Sequence, residues 1–319
     1  MDVTMSFHTQ EIWTWWIAVY LFMGGLGAAT LSITFLTDMY VKHHKDLVLW
    51  GALSGIVMLA IGSLMLFIHL LDYTAVFAVL NPLVLFRQPD AWIAWGSQFI
   101  LWMMFWGVLY SLPYMIESPA FNRIPGVRQF LGWGWVNKVA YACGRYCKVC
   151  GWLATINGIG TAVYTGLLLQ SFPAVALWHN PGVPLLFTIS AFSTAFAYLL
   201  LVLHVVVKRP EDHGLRVLYE RLDLILIASE LVVIFAFYQY MQAGSASLAQ
   251  SAEILWNDMG WLVGFIGFGL LVPFFLELKG VVKGWRSVAP TVFASVLVLV
   301  GGYLLRHYFL VAGVYAHPW

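Results

Sequence analysis

Residues 12–37 read IWTWWIAVYLFMGGLGAATLSITFLT, a run of 26 positions without one Asp, Glu, Lys or Arg. A helix rises about 1.5 Å per residue and a bilayer core takes about 20 apolar residues to cross, so this run can span a membrane as one helix. Comparable runs recur at 47–71, 91–116, 151–172, 183–207, 222–241, 260–278 and 287–305. All are continuous rather than short and alternating, which excludes the strands of a membrane barrel. Composition agrees. Of 319 residues 61% are hydrophobic and only 10% charged, too few charges to coat a water-soluble globule of that size. The sequence therefore predicts an all-α fold, an integral membrane eight-helix bundle that forms a single membrane domain over 1–319 and divides into two four-helix bundles at the short loop 178–184.

A formal net charge of +1 argues against a nucleic-acid partner, and three cysteines cannot pair completely. Residues 1–10 carry no Lys or Arg and lead into an apolar run too long for a cleaved signal segment, so they read as a mature start. Basic residues are held on the cytoplasmic side of a membrane. Fourteen of the 16 Lys and Arg lie in or beside the loops after spans one, three, five and seven, and only Arg87 and Arg306 fall on the other side. A multi-pass protein of the inner, cytoplasmic membrane with both termini outside is expected. The outward loops 72–90, 173–182 and 242–257 are nearly free of basic charge and rich in aromatic, Pro and Asn residues. They suit a docking face for a partner or an interfacial aromatic belt.

Polar groups inside a span are costly in lipid, so each marks a candidate site. The outer half holds Tyr20, His69, Asp72, Gln98, Tyr164 and Arg306. His69 and Asp72 stand three residues apart on one face of a helix end, where a carboxylate can orient an imidazole and receive its proton. Such a pair suits quinol oxidation, which needs hydrogen-bonding groups at the carbonyls, an apolar slot and a titratable route for protons. The competing reading is a hydrated helix cap. Gln98 and Arg306 are candidate support for this outer site.

The inner half holds Asp38, Glu117, His204, Asp223, Glu230 and Glu277. Glu230 lies about eight residues, roughly 12 Å, from the inner end, too deep for a carboxylate that is not protonated, paired or linked to water. Asp38, Asp223, Glu230 and Glu277 are candidates for a proton path, with Asn157, Thr161, Thr165, Ser190, Ser193 and Thr194 as relay partners. Hydroxyls that bond their own helix backbone are the competing reading.

No metal site is expected. Two haems would need paired histidines at matched depth, which the protein does not offer. Cys143, Cys147 and Cys150 have the spacing of a three-thiolate cluster, but in a short basic loop without a fourth Cys they read as reduced thiols. Gly24-Gly-Leu-Gly27 sits inside an apolar helix with no preceding strand, which points to close helix packing rather than phosphate binding.

The segment EIWTWWIAVYLFMGGLGAAT at 11–30 resembles the first helix of the NrfD and polysulfide-reductase membrane subunits. IHLLD at 68–72, FAVLNP at 77–82, YTG at 164–166 and PLLFTIS at 184–190 are similar to the same family. The resemblance covers most of the first five spans. It implies a quinone-reactive anchor, free of haem and of iron–sulfur clusters, that exchanges electrons between menaquinone or ubiquinone and a ferredoxin-like iron–sulfur subunit on the outer face. Through that subunit it implies a molybdenum oxidoreductase or a multihaem cytochrome. Tyr20 falls where the family places a quinone-contacting His, and Tyr164 where it places a quinone-contacting Tyr; Ile17 stands where the family has Asn.

The sequence thus points to the quinone-reactive membrane subunit of a respiratory oxidoreductase, with a site at Tyr20, His69, Asp72 and Tyr164. The rival is a secondary transporter, which requires helices broken near mid-membrane in both halves. Gly24 to Gly27 and Gly158 to Gly160 are the candidate breaks.

Overall fold

The structure, a computed structural model, describes residues 6–41, 44–69, 77, 80–208, 213–283 and 288–317. Eight helices among them are long and apolar enough to cross a membrane: α1 Trp15–Tyr40, α2 Lys45–Ile68, α3 Trp92–Glu117, α4 Cys147–Gln170, α5 Gly182–Val206, α6 His213–Ala243, α7 Gly260–Lys283 and α8 Ala289–Val311. The all-α membrane class expected from the hydropathy pattern is the class observed.

Two spans run well past the ends that charge suggests. The helix expected at 222 begins at His213, because Arg216 and Glu220 are spaced to pair along one face and do so at 2.9 Å, both buried. The last helix passes Arg306 and continues to Val311. Arg306 is held within the bundle, where its Nη1 donates to Ser190 Oγ at 3.0 Å and to the Gly302 carbonyl at 2.6 Å, while its buried Nε has no partner among the described residues.

Helix α1 packs on α2 and α4, and α3 packs on α2 and α4. In the second half α5 packs on α6 and α8, while α7 packs on α6 and α8. These are the two expected four-helix groups, and α1 and α4 join them by lying against α5. The crossing of α1 and α2 is set by glycine. A Cβ on Gly27 would come within 2.6 Å of the Gly55 carbonyl, and one on Gly55 within 2.9 Å of the Gly27 carbonyl, so only small residues allow this approach. Gly24–Gly27 and Gly158–Gly160 lie within unbroken helices. The interruptions that alternating access requires are absent at those two places. Wider π turns occur at Val202–Val206 ending α5 and at Gly260–Leu271 opening α7.

An unexpected feature is a two-stranded sheet in which β1, Ser6–Thr9, pairs antiparallel with β2, Val314–His317. The pairing puts Ser6–Thr9 and Val314–His317 on one face, as an even number of spans between them requires. Gln10 fastens it, with its N–H donating to the Gly313 carbonyl at 2.9 Å and its side-chain amide to the Leu310 carbonyl at 3.0 Å. On this terminal face the segment 173–182 turns an aromatic inward. Trp178 is buried, donates from Nε1 to the Phe309 carbonyl at 2.7 Å and stacks on Trp13. The opposite face carries short helices at Pro119–Asn122, Pro125–Leu131 and Gly134–Arg145, and most of the basic residues.

Candidate functional site

A cavity of about 420 Å³ lies between the four helices of the first group, toward the terminal face. Its walls are Ala60, Ser63, Leu64, Leu66 and Phe67 of α2 and Ile93, Ser97, Ile100, Leu101 and Met104 of α3, with Leu80 above and Tyr20 and Tyr164 at its inner wall. Leu64, Phe67, Ile93 and Leu101 are partly exposed on the membrane side. The cavity is therefore a slot between α2 and α3 that a lipid-soluble molecule can enter sideways.

Nearly all of this lining is apolar. Ser63 spends its hydroxyl on the Leu59 carbonyl at 2.8 Å and Ser97 on the Ile93 carbonyl at 3.0 Å, as hydroxyls in apolar helices commonly do. What remains is the tyrosine pair. Tyr20 and Tyr164 are each 1% exposed, and Tyr20 Oη donates to Tyr164 Oη at 3.3 Å across 144 residues of sequence. One of the two phenolic hydrogens is used in that bond, so the pair retains one donor for a guest carbonyl. The Tyr164 ring is seated against Gly96 of α3, where any Cβ would overlap the phenol ring.

The predicted residues distribute unevenly about this slot. Tyr20 and Tyr164 line it. Gln98 is buried nearby and donates from Nε2 to the Leu80 carbonyl at 2.9 Å, while Trp95 Nε1 donates to the Pro89 carbonyl at 2.9 Å. Gln98 thus holds a wall of the slot rather than facing into it. The His69 side chain and Asp72 lie outside the described residues. Arg306 is in the second helix group and does not line the slot. Besides its bonds to Ser190 and Gly302 it donates from Nη2 to the Phe187 carbonyl at 3.2 Å, with its guanidinium over the Phe22 and Phe187 rings.

The inner acidic residues form a second constellation within α5 to α8. Arg216, Glu220, Asp223 and Glu230 recur at spacings of four, three and seven on one face of α6 and are all buried. Over that distance the helix rises about 21 Å, much of a membrane core of about 30 Å. At the basic end Arg216 Nη2 donates to Thr291 Oγ1 at 2.6 Å, and Thr291 donates to Glu220 Oε1 at 2.7 Å. Next along, Ser193 donates to Asp223 Oδ1 at 2.5 Å, and Glu277 of α7 interacts with Asp223. Further on, Glu230 neighbours Ser190, which accepts from Arg306. Asp223 Oδ2, Glu230 Oε1 and both Glu277 carboxylate oxygens are buried with no hydrogen-bond partner among the described residues. Buried polar atoms are rarely left so.

Asp38 stands apart from this column. It lies in the first helix group and accepts from Tyr110 at 2.9 Å and from Tyr114 at 2.6 Å. Of the relay candidates, Asn157, Thr161, Thr165 and Thr194 bond carbonyls of their own helices. Only Ser190 and Ser193 reach other side chains. Sequence reasoning missed Glu220 and Thr291 and placed Arg216 in a loop. The four-residue spacing of Arg216 and Glu220 was the signal that could have found them.

Comparison with known proteins agrees with this architecture. The sequence model of the family described as "Polysulphide reductase, NrfD" matches residues 4–317. The protein is 24% identical to Protein NrfD homolog of Haemophilus influenzae, over 98% of both sequences. It is 25% identical to Protein NrfD of Escherichia coli, again over 98% of both. It is 26% identical to the C subunit of polysulfide reductase from Wolinella succinogenes, over 96% of this sequence and 95% of that one.

Proposed function

This chain belongs to the NrfD polysulphide reductase family, and from that premise we propose that it is the quinone-reactive membrane subunit of a respiratory oxidoreductase. The observation that carries the proposal is the Tyr20–Tyr164 pair at the inner wall of an apolar, laterally open slot. A quinone fits such a place. The slot lies within the size range of about 300–1,000 Å³ usual for small-molecule sites, offers a hydrogen-bond donor at one end and accepts an isoprenoid tail along Leu64 and Leu101. When bound, the quinone supplies two-electron, two-proton redox chemistry. The protein's own part is to hold a carbonyl oxygen against the Tyr164 hydroxyl, exclude water with the α2 and α3 side chains, and pass protons at the tyrosine oxygens. His69 and Asp72 are proposed to complete proton exchange at the terminal face.

Electrons leave or enter through a ferredoxin-like iron–sulfur subunit proposed to dock on the terminal face, which is read as the outside because the basic residues crowd the other. The slot's position toward that face keeps the electron's path short. A molybdenum enzyme or multihaem cytochrome would lie beyond that subunit. The column of Asp223, Glu277, Ser193, Glu230 and Ser190 is proposed to conduct protons from the basic face. Asp38 is not included, since it stands in the other helix group.

Tyr164→Phe should lower quinol-dependent turnover about a hundredfold, and Tyr20→Phe by a smaller factor, because a positioned proton donor commonly contributes that much. Reaction of the partner enzyme with artificial electron donors should be untouched in both. Turnover at the wild-type rate in the Tyr164 variant would remove the pair from the reaction.

A further inference from the structure

A second cleft, of about 360 Å³, opens on the basic face at the ends of α1, α3 and α4, away from the quinone slot. It carries charges of both signs. Asp38 lies on one side, and Arg145 and Lys148 belong to the junction between helix Gly134–Arg145 and α4. Both tyrosine hydroxyls that bond Asp38 do so at Oδ2, which leaves Oδ1 as an acceptor for a guest. The nearby Lys45 interacts with Asp38, but its ammonium bonds Glu117 at 2.7 Å. Phe35, Met39 and Val149 add apolar wall.

The setting is that of a lipid headgroup. The cleft lies where three membrane-spanning helices end, hence at headgroup depth. On the same basic face, around the start of helix Gly134–Arg145, Phe130, Trp133 and Trp135 are exposed and in mutual ring contact, as aromatic residues are at a membrane interface. Basic pockets between helices at this depth take lipid phosphates. A carboxylate in the same cleft opposes a purely anionic headgroup and favours one that also carries an ammonium.

We propose that this cleft binds phosphatidylethanolamine, its phosphate held by Arg145 and Lys148 and its ammonium by Asp38. The lipid would brace the basic ends of α1, α3 and α4 against helix Gly134–Arg145.

The test uses the intact complex in mild detergent, stripped of loosely held lipid, with bound lipid measured by mass spectrometry and thermal stability measured on adding back single lipids. Wild type should retain phosphatidylethanolamine and be stabilised by it more than by phosphatidylglycerol. Arg145→Gln with Lys148→Gln, both exposed positions, should weaken retention about thirtyfold, roughly fivefold for each surface cation lost. Asp38→Asn should keep a lipid and lose the preference for ethanolamine over glycerol. Soluble phosphoethanolamine, lacking acyl tails, should not stabilise at matched concentration. Unchanged retention in the double variant, a wild-type preference for phosphatidylglycerol, an undiminished preference in Asp38→Asn, or equal stabilisation by phosphoethanolamine would each overturn the proposal.

Discussion

Gly96→Ala is expected to reduce quinone-dependent turnover at least about tenfold while leaving the protein in the membrane and its partner enzyme active with artificial donors. A helix ordinarily gains from this substitution, since alanine is favoured over glycine by about 1 kcal/mol in a helix interior. Here the new methyl would overlap the Tyr164 ring, and that ring is packed with 1% exposure. The ring must move toward the slot, where it occupies the quinone's place and parts from Tyr20. The effect is thus steric and runs through one residue, which makes it separable by a double-mutant cycle. In a Tyr164→Ala background the obstructing ring is gone, and Gly96→Ala should add no further loss. Independent, multiplying losses in the two variants would show that Gly96 acts elsewhere.

Glu230→Gln should leave quinone turnover within about twofold of wild type in proteoliposomes with a dissipated gradient, and should abolish charge movement per quinone turned over. The amide has the volume of the carboxyl, so packing against α5 is kept, but it cannot take up and release a proton. Glu230 is the link between the Asp223–Glu277 pair and the Ser190–Arg306 end of the column, and no other buried carboxylate among the described residues lies beyond it toward the terminal face on α6. Unchanged turnover together with unchanged voltage would take Glu230 off any proton path.

The spans were legible because lipid imposes a length and a composition on every helix that crosses it, and the contrast between 12–37 and its flanks is strong. Charge was a poor guide to where helices end. Arg216 and Arg306 read as loop or interface residues, yet each is buried and hydrogen-bonded to side chains from another helix, a partnership that sequence proximity does not reveal. Depth along a helix could be counted for every acidic residue, but the direction each faces could not. That is why Asp38 was grouped with Asp223 and Glu277, although it belongs with Tyr110 and Tyr114. Tyr20 and Tyr164 were legible as polar groups inside spans and were singled out by family likeness, while their contact across 144 residues and the role of Gly96 in seating the Tyr164 ring needed three dimensions.

The central claim is that a quinone reacts in the slot between α2 and α3, at the tyrosine pair. Photolabelling with an azido-quinone, followed by peptide mapping, tests it most directly. Label is expected on the wall segments 60–67 and 93–104 and on the peptides that hold Tyr20 and Tyr164, and excess native quinone should displace it. Displaceable label confined to α5 through α8 would contradict the claim.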